Sequence, residues 1–328
     1  MAPILDVQQL HVGYQKKGKY TEILKGVTFA LKKGESLGIV GESGCGKSMT
    51  SLAIMGLLKQ KGVQATRGKI NWEGSNLLDR KNSELRNLRG KEIAMIFQEP
   101  MTALNPLLTV GQQITEQIRV HEGIGKKEAE LRAIEMLRLV NIPSPVDRLK
   151  AYPHELSGGM RQRVMIAMAL SCQPKLLIAD EPTTALDVTV QAQILDLLQQ
   201  LQQQMGMSLM LITHDLGVVS QVCQRVIVMY AGEVVEEATR EQLFSQPLHP
   251  YTIGLLESVT SLDGENERLY SIPGRVPAPG EAMVGCAFQD RCPYVAEACR
   301  KTTPSLVETE DGRKVSCLRY SEIVEGVA

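Results

Sequence analysis

Four short apolar runs in this chain are uninterrupted by any charged residue: Ser36-Leu37-Gly38-Ile39-Val40, Ile93-Ala94-Met95-Ile96-Phe97, Leu176-Leu177-Ile178-Ala179 and Leu209-Met210-Leu211-Ile212-Thr213. Strands covered on both faces read this way, and such strands belong to parallel sheets. Between the last two runs, residues 190–204 place Ile194, Leu195, Leu197, Leu198 and Leu201 at helical spacing. Strand, helix, strand in that order predicts a parallel α/β core. Residues 4–12 and 22–31, rich in Val, Ile, Leu and Thr, predict two further strands around a polar turn at 15–19. A helix is expected over 49–58. Residues 105–170 read as mainly helical, with helices over 126–139 and 159–170, and form an all-helical insertion in the α/β pattern. Past residue 247 the periodicity fades and Pro273, Gly274, Pro277, Pro279 and Gly280 crowd in. The expected boundary therefore lies near 245, with one domain over 1–245, its helical part at about 100–170, and a smaller region over 246–328.

The length of 328 residues fits about two domains. Thirty-six basic side chains face 37 acidic ones, and so balanced a charge argues against nucleic acid as the main partner. Hydrophobic residues make up 43% of the chain, which excludes disorder. No apolar run approaches the length of a bilayer span. The opening Met1-Ala2-Pro3-Ile4-Leu5-Asp6 has neither the basic head nor the apolar core of a signal peptide. A soluble intracellular chain is expected, and seven cysteines are too few for a disulfide scaffold.

The candidate chemistry sits where the apolar runs end. Gly41-Glu42-Ser43-Gly44-Cys45-Gly46-Lys47-Ser48 fits G-x-x-x-x-G-K-[ST] between a strand and a helix. In such a loop the backbone amides and the helix dipole cradle phosphates, the lysine reaches the β/γ oxygens, and the serine hydroxyl supports Mg²⁺. The same dipole is expected to lower the Cys45 thiol pKa and make it reactive. Asp180-Glu181 closes a buried strand; there Asp180 can hold the Mg²⁺ shell and Glu181 can polarise or deprotonate water. His214 ends the next strand, where it could bond the γ-phosphate. Gln98 follows the run at 93–97 and could bind Mg²⁺ or water. Leu156-Ser157-Gly158-Gly159-Met160 opens a helix. It reads either as plain capping by Ser157 or as a second anion site, serving a nucleotide held by a partner.

In this order, Tyr14, residues 41–48, Gln98, residues 156–160, Asp180-Glu181, Asp187 and His214 resemble the motifs of the ATP-binding cassette family, over roughly residues 4–250. The resemblance implies an α/β P-loop NTPase cassette. Its parts would be a RecA-like parallel-sheet core, an antiparallel β subdomain, an inserted helical subdomain and a small irregular Cys-containing C-terminal extension. It implies that Tyr14 stacks on adenine and that Gly41, Ser43, Gly44, Cys45, Gly46, Lys47, Ser48 and Met49 surround the phosphates as Walker A. Ser48, Gln98 and Asp180 would hold Mg²⁺, Gln98 would be the Q-loop residue, and Glu181 the catalytic base. Asp187 would belong to the D-loop and His214 to the switch, while Ser157, Gly158 and Gly159 would reach ATP of the partner subunit.

With one copy of each motif the chain must dimerise, with itself or with a paralogous ATPase subunit. Residues 99–106 look like the surface that grips a membrane subunit. His249-Pro250-Tyr251-Thr252, residues 269–277, Gly285-Cys286 and Arg291-Cys292-Pro293-Tyr294 look like the C-terminal extension of dipeptide and oligopeptide importers. The implied protein is a peripheral ATPase on the cytoplasmic side of the cytoplasmic membrane. It would work with two transmembrane permease subunits and, indirectly, an extracytoplasmic peptide-binding protein. Nickel or other small-solute import is the alternative within the subfamily, and a non-transport ABC ATPase the alternative outside it. Cys286, Cys292, Cys299 and Cys317 crowd a segment with little apolar content. There a metal would help folding, as a [4Fe–4S] cluster favoured by the resemblance, as Zn²⁺, or not at all if the four remain free thiols.

Overall fold

The computed structural model describes residues 2–16, 18–97, 104–184, 186–260, 271–281 and 283–326. The strands among them are β1 Leu5–Lys16, β2 Lys19–Leu31, β3 Ser36–Val40, β4 Gln64–Trp72, β5 Ser75–Asn76, β6 Ile93–Ile96, β7 Leu176–Asp180, β8 Ser208–Thr213, β9 Arg225–Tyr230, β10 Glu233–Thr239, β11 Val307–Glu308 and β12 Lys314–Val315. The chain divides into two compact units, one of residues 1–31, 36–79 and 212–328, the other of 32–35 and 80–211.

In the first unit, β2, β1, β4 and β5 form an antiparallel sheet in that order. The hairpin runs further than the apolar pattern predicts, with Tyr14 opposite Thr21 and Lys16 opposite Lys19. Backbone pairing does not require apolar side chains, so residues 13–16 and 19–21 extend a ladder whose inner rows, Leu5, Val7, Leu10, Val12 and Leu24, are fully buried. β3 pairs in parallel with β9, and β10, β12 and β11 follow in antiparallel order. Every residue of β3 is buried, as its uninterrupted run requires. Gly38 admits a close neighbour there, because an added Cβ would stand 2.7 Å from Val219 Cγ1 of the helix Leu216–Val222.

The residues beyond 245 return to this sheet. Val315 and Lys314 of β12 pair with Glu236 and Glu237 of β10. The fully buried Glu236 carboxylate accepts the Leu248 and His249 amides, each at 2.8 Å, just ahead of the helix Pro250–Thr260. Burial raises the Glu236 pKa, and these amide bonds oppose the shift.

In the second unit β6 and β7 pair in parallel, Ile93 with Leu176 through Ile96 with Ala179. The helices include Val110–Glu122, Lys126–Leu139, Gly158–Leu170 and Val188–Met205. Their ends follow from local sequence. Thr109 caps the first with a reciprocal bond from Gln112, and Gly123 ends it at φ 69°. Ile114, Ile118, Ala133, Leu137, Val164 and Ile166 supply buried helix faces. Among the described residues no helix is long and apolar enough to cross a membrane.

Candidate functional site

In the first unit the phosphate loop joins β3 to the helix Lys47–Ile54. Gly41, at φ 151°, passes so close to β9 that an added Cβ would lie 2.2 Å from the Met229 carbonyl oxygen. Gly46, at φ 108°, opens the helix, which no side chain caps and whose first turn carries no acidic residue. The helix therefore presents an uncompensated positive end to an anion. The Lys47 side chain lies along the loop, its Nζ donating to the carbonyls of Gly41 at 2.6 Å and Glu42 at 3.1 Å. Ser43 and Gly44 form the exposed tip; Ser48 and Met49 follow, half-buried, in the helix.

Two clamps flank that tip. On one side the Gly232 amide donates to the Cys45 carbonyl at 3.0 Å, and the Gly232 carbonyl accepts the Lys25 amide at 2.9 Å, tying the loop to β2 of the hairpin. Tyr14 stands half-buried on the other strand of that hairpin. On the other side the Tyr251 hydroxyl accepts the Glu42 amide at 2.8 Å, and Arg291 holds the Glu42 carboxylate. Sequence alone assigns no role to Glu42, Tyr251 or Arg291, although the tail motifs that contain Tyr251 and Arg291 are visible in it.

The expected reactive thiol at Cys45 is not found. Cys45 is fully buried, and its pKa is raised because desolvation outweighs the pull of Lys47. A shielded, protonated thiol is a poor nucleophile. Maleimide is therefore expected to inactivate wild type and Cys45→Ser at the same rate; clear protection by the serine would show that the thiol is reached.

His214 follows β8 on the surface of the first unit. Its neighbour Asp215 starts the helix Leu216–Val222, with Oδ1 accepting the Gly217 amide at 2.7 Å.

In the second unit Asp180 is the last residue of β7 and is buried, while Glu181 is half-buried at φ 47°, a left-handed conformation costly for a side chain of its kind. Thr184 Oγ1 donates to Glu181 Oε2 at 3.1 Å. Ser157 caps the helix Gly158–Leu170, its Oγ accepting the Met160 amide at 3.3 Å. Asp187 caps the helix Val188–Met205 through the Val190 amide at 2.9 Å. The two helix starts abut, since a Cβ at Gly159 would lie 2.9 Å from Val190 Cγ1. Gln162, fully buried, donates from Nε2 to the Pro182 carbonyl at 2.5 Å and so ties the helix Gly158–Leu170, called the signature helix below, to the turn that carries Glu181. Ser157, Gly158, Gly159, Gln162, Glu181 and Asp187 are thus linked through one set of contacts, of which Gln162 carries no signal in the sequence. Gln98, and residues 99–103 of the expected permease-gripping surface, lie outside the described residues.

Cys286, Cys292, Cys299 and Cys317 line one small cavity together with Phe288, Tyr294, Leu318 and Ile323. Burial raises the Cys292 pKa and pushes Cys286 and Cys317 each up to about 11. Metal ligation needs thiolates. Among the described residues no group of three or more His, Cys, Asp or Glu side chains is arranged to hold a metal ion.

Residues 24–184 match the ABC transporter family, and residues 235–299 match the oligopeptide/dipeptide transporter C-terminal region. The oligopeptide transport ATP-binding protein AppD of Bacillus subtilis is 51% identical over 98% of each chain. The dipeptide transport ATP-binding protein DppD of Escherichia coli is 50% identical over 96% of each. Among solved structures, the ATP-binding cassette MJ0796 bound to ADP and Pi, a dimer in a post-hydrolysis state, superposes with a TM-score of 0.65 at 29% identity, over 72% of this chain and 98% of that one. The phosphate loop, the capped signature helix and half of all residues shared across nearly the full length lead to one assignment: the chain belongs to the ABC transporter ATPases, in the group with an oligopeptide/dipeptide transporter C-terminal region.

Proposed function

We propose that this chain is the ATP-hydrolysing subunit of an importer of di- and oligopeptides, bound peripherally on the cytoplasmic face of the membrane. The observation that carries the peptide reading is the tail: residues 235–299 match the C-terminal region of oligopeptide and dipeptide transporters, and two tail residues grip the phosphate loop. The working unit is a pair of cassettes, this chain with a paralogue, set beneath two permease subunits fed by an external peptide-binding protein. An exposed apolar residue supports the permease contact. Leu107 is 82% exposed, on a turn braced by Gln113, whose Nε2 donates to the Asn105 and Leu108 carbonyls at 3.0 Å each.

The residue roles are those that the sequence motifs imply. The loop amides of residues 41–48 and Lys47 bind the phosphates, Ser48 and Asp180 supply oxygen ligands to Mg²⁺, and Tyr14 supports the adenine. Glu181 accepts a proton from the attacking water, and His214 bonds the γ-phosphate. The exposed Ser157, Gly158 and half-buried Gly159 meet the partner's nucleotide. ATP then closes the pair and hydrolysis reopens it, a two-state element biased by ligand. Uptake in cells lacking this gene tests the reading, with labelled dipeptide, a longer peptide and Ni²⁺ offered in turn. Peptide uptake restored by wild type and not by Glu181→Gln is expected; rescue of Ni²⁺ alone would overturn the substrate assignment and leave the ATPase intact.

For the cysteines we propose a [4Fe–4S] cluster or Zn²⁺, taken up when the four thiols lose their protons. Four thiols lining one cavity support it. Such a group would brace the tail and take no part in hydrolysis. Iron or zinc near stoichiometric amounts is expected in purified protein, with absorbance near 400 nm for the cluster. Protein with neither metal would sink the idea.

A further inference from the structure

Glu42 is held at all three of its polar groups. Its amide donates to the Tyr251 hydroxyl at 2.8 Å, its carbonyl accepts Lys47 Nζ at 3.1 Å, and its carboxylate takes both prongs of Arg291, 2.7 Å to Oε2 and 3.0 Å to Oε1. Arg291 is itself fixed from several sides. Its side chain is 4% exposed, it donates to the carbonyls of Pro273 at 2.8 Å and Ile272 at 3.2 Å, and it lies 5.8 and 5.9 Å from the ring centres of Tyr230 and Phe288. Gly274, at φ 82°, leaves room for its stem, since a Cβ there would come within 3.2 Å of Arg291 Cγ. A two-pronged guanidinium–carboxylate pair adds direction as well as attraction.

The pair also sits at a telling place. The exposed tip Ser43-Gly44 hangs between Glu42 and Cys45, and Cys45 is already fastened by Gly232. Glycine-rich backbone loses much freedom when it is ordered around a ligand. A loop clamped at both flanks has lost most of that freedom before the nucleotide arrives, and preordering of this kind appears as affinity.

We infer that Arg291 of the C-terminal segment is a positioning residue for the phosphate loop, acting through Glu42 so that the tail sets the affinity of the cassette for ATP. The inference holds whichever solute is imported. Because the clamp acts equally on bound ATP and on the transition state, its loss should raise KM and leave kcat nearly unchanged.

MgATP binding calorimetry on the purified full chain, and steady-state hydrolysis by that chain paired with its partner cassette, test this. Arg291→Met keeps the stem and removes the charged fork; it is expected to raise both Kd and KM about tenfold, the scale of one lost charge-assisted bond. Glu42→Gln should do the same, and the double variant should be no worse than either single one, because both remove one contact. Arg291→Lys, which keeps the charge on a single point, should fall between. A lowered melting temperature with unchanged Kd and KM in Arg291→Met would reduce the arginine to an anchor for the tail. Additive effects in the double variant would equally overturn the inference. Should Arg291→Met not fold, wild-type KM in both Arg291→Lys and Glu42→Gln would overturn it as well.

Discussion

Replacing Glu181 by glutamine is expected to cut ATP hydrolysis by roughly 10²–10⁴-fold, the range attributed to a positioned general base, while MgATP still binds and holds the cassettes closed. The substitution is close to isosteric. Glutamine keeps an oxygen that can accept the Thr184 hydroxyl, which reaches Glu181 Oε2 at 3.1 Å, and the turn bond from the Thr184 amide to the residue 181 carbonyl at 3.2 Å is main chain. Fold and nucleotide site should therefore survive, and only the proton acceptor is lost. A second variant uses the backbone. Glu181 sits at φ 47°, where a side chain costs on the order of 1–2 kcal/mol and glycine nothing comparable. Glu181→Gly should be as inactive as the glutamine variant yet no less heat-stable than wild type, the greater chain freedom of glycine offsetting part of the relief. Single-turnover hydrolysis and thermal melting read the two effects apart. Near-wild-type turnover in Glu181→Gln would remove the residue from its assigned role.

How much of the molecule is legible from residues alone depends on the range of the interaction. The buried strands β3, β7 and β8 are legible because burial on both faces leaves no polar alternation, and the helix Lys126–Leu139 because its periodicity is long. The phosphate loop and the signature helix start are legible because their chemistry is carried by consecutive residues. Elements that rest on main-chain pairing are cut short in a reading by side chains: the hairpin of β1 and β2 continues through Tyr14, Gln15 and Tyr20, where polarity suggests a turn. Environment misleads at Cys45. A helix N-terminus argues for a lowered thiol pKa, but the thiol is fully buried and desolvation outweighs the local charges. The pairing of Glu42 with Arg291 spans 249 positions, and nothing local to either residue announces it. Ser157 and Asp187 show the converse: the sequence motifs point each toward nucleotide chemistry, and the structure gives each a plain task as a helix cap.

Lys47→Ala is expected to weaken MgATP binding by roughly 10²–10⁴-fold, as two charge-assisted bonds to phosphate oxygens would predict at about 1.5–3 kcal/mol each. Lys47 is buried, and its ammonium spans the carbonyls of Gly41 and Glu42, so it is already aligned along the inner side of the loop. Truncation then has two consequences. A positive charge near the phosphates is gone, and two loop carbonyls lose a donor. The second effect acts without nucleotide, so the apo protein should melt slightly lower, whereas the first appears only in the titration. Lys47→Met isolates packing from polarity, because it fills nearly the same space while removing the charge and the donor together. A drop in affinity shared by Ala and Met assigns the effect to the ammonium; a drop in Ala alone assigns it to packing of the loop. Affinity within about threefold of wild type in both variants, under 1 kcal/mol, would mean that the amides of residues 41–48 and the helix dipole suffice to hold the phosphates, leaving the lysine as a brace between Gly41 and Glu42.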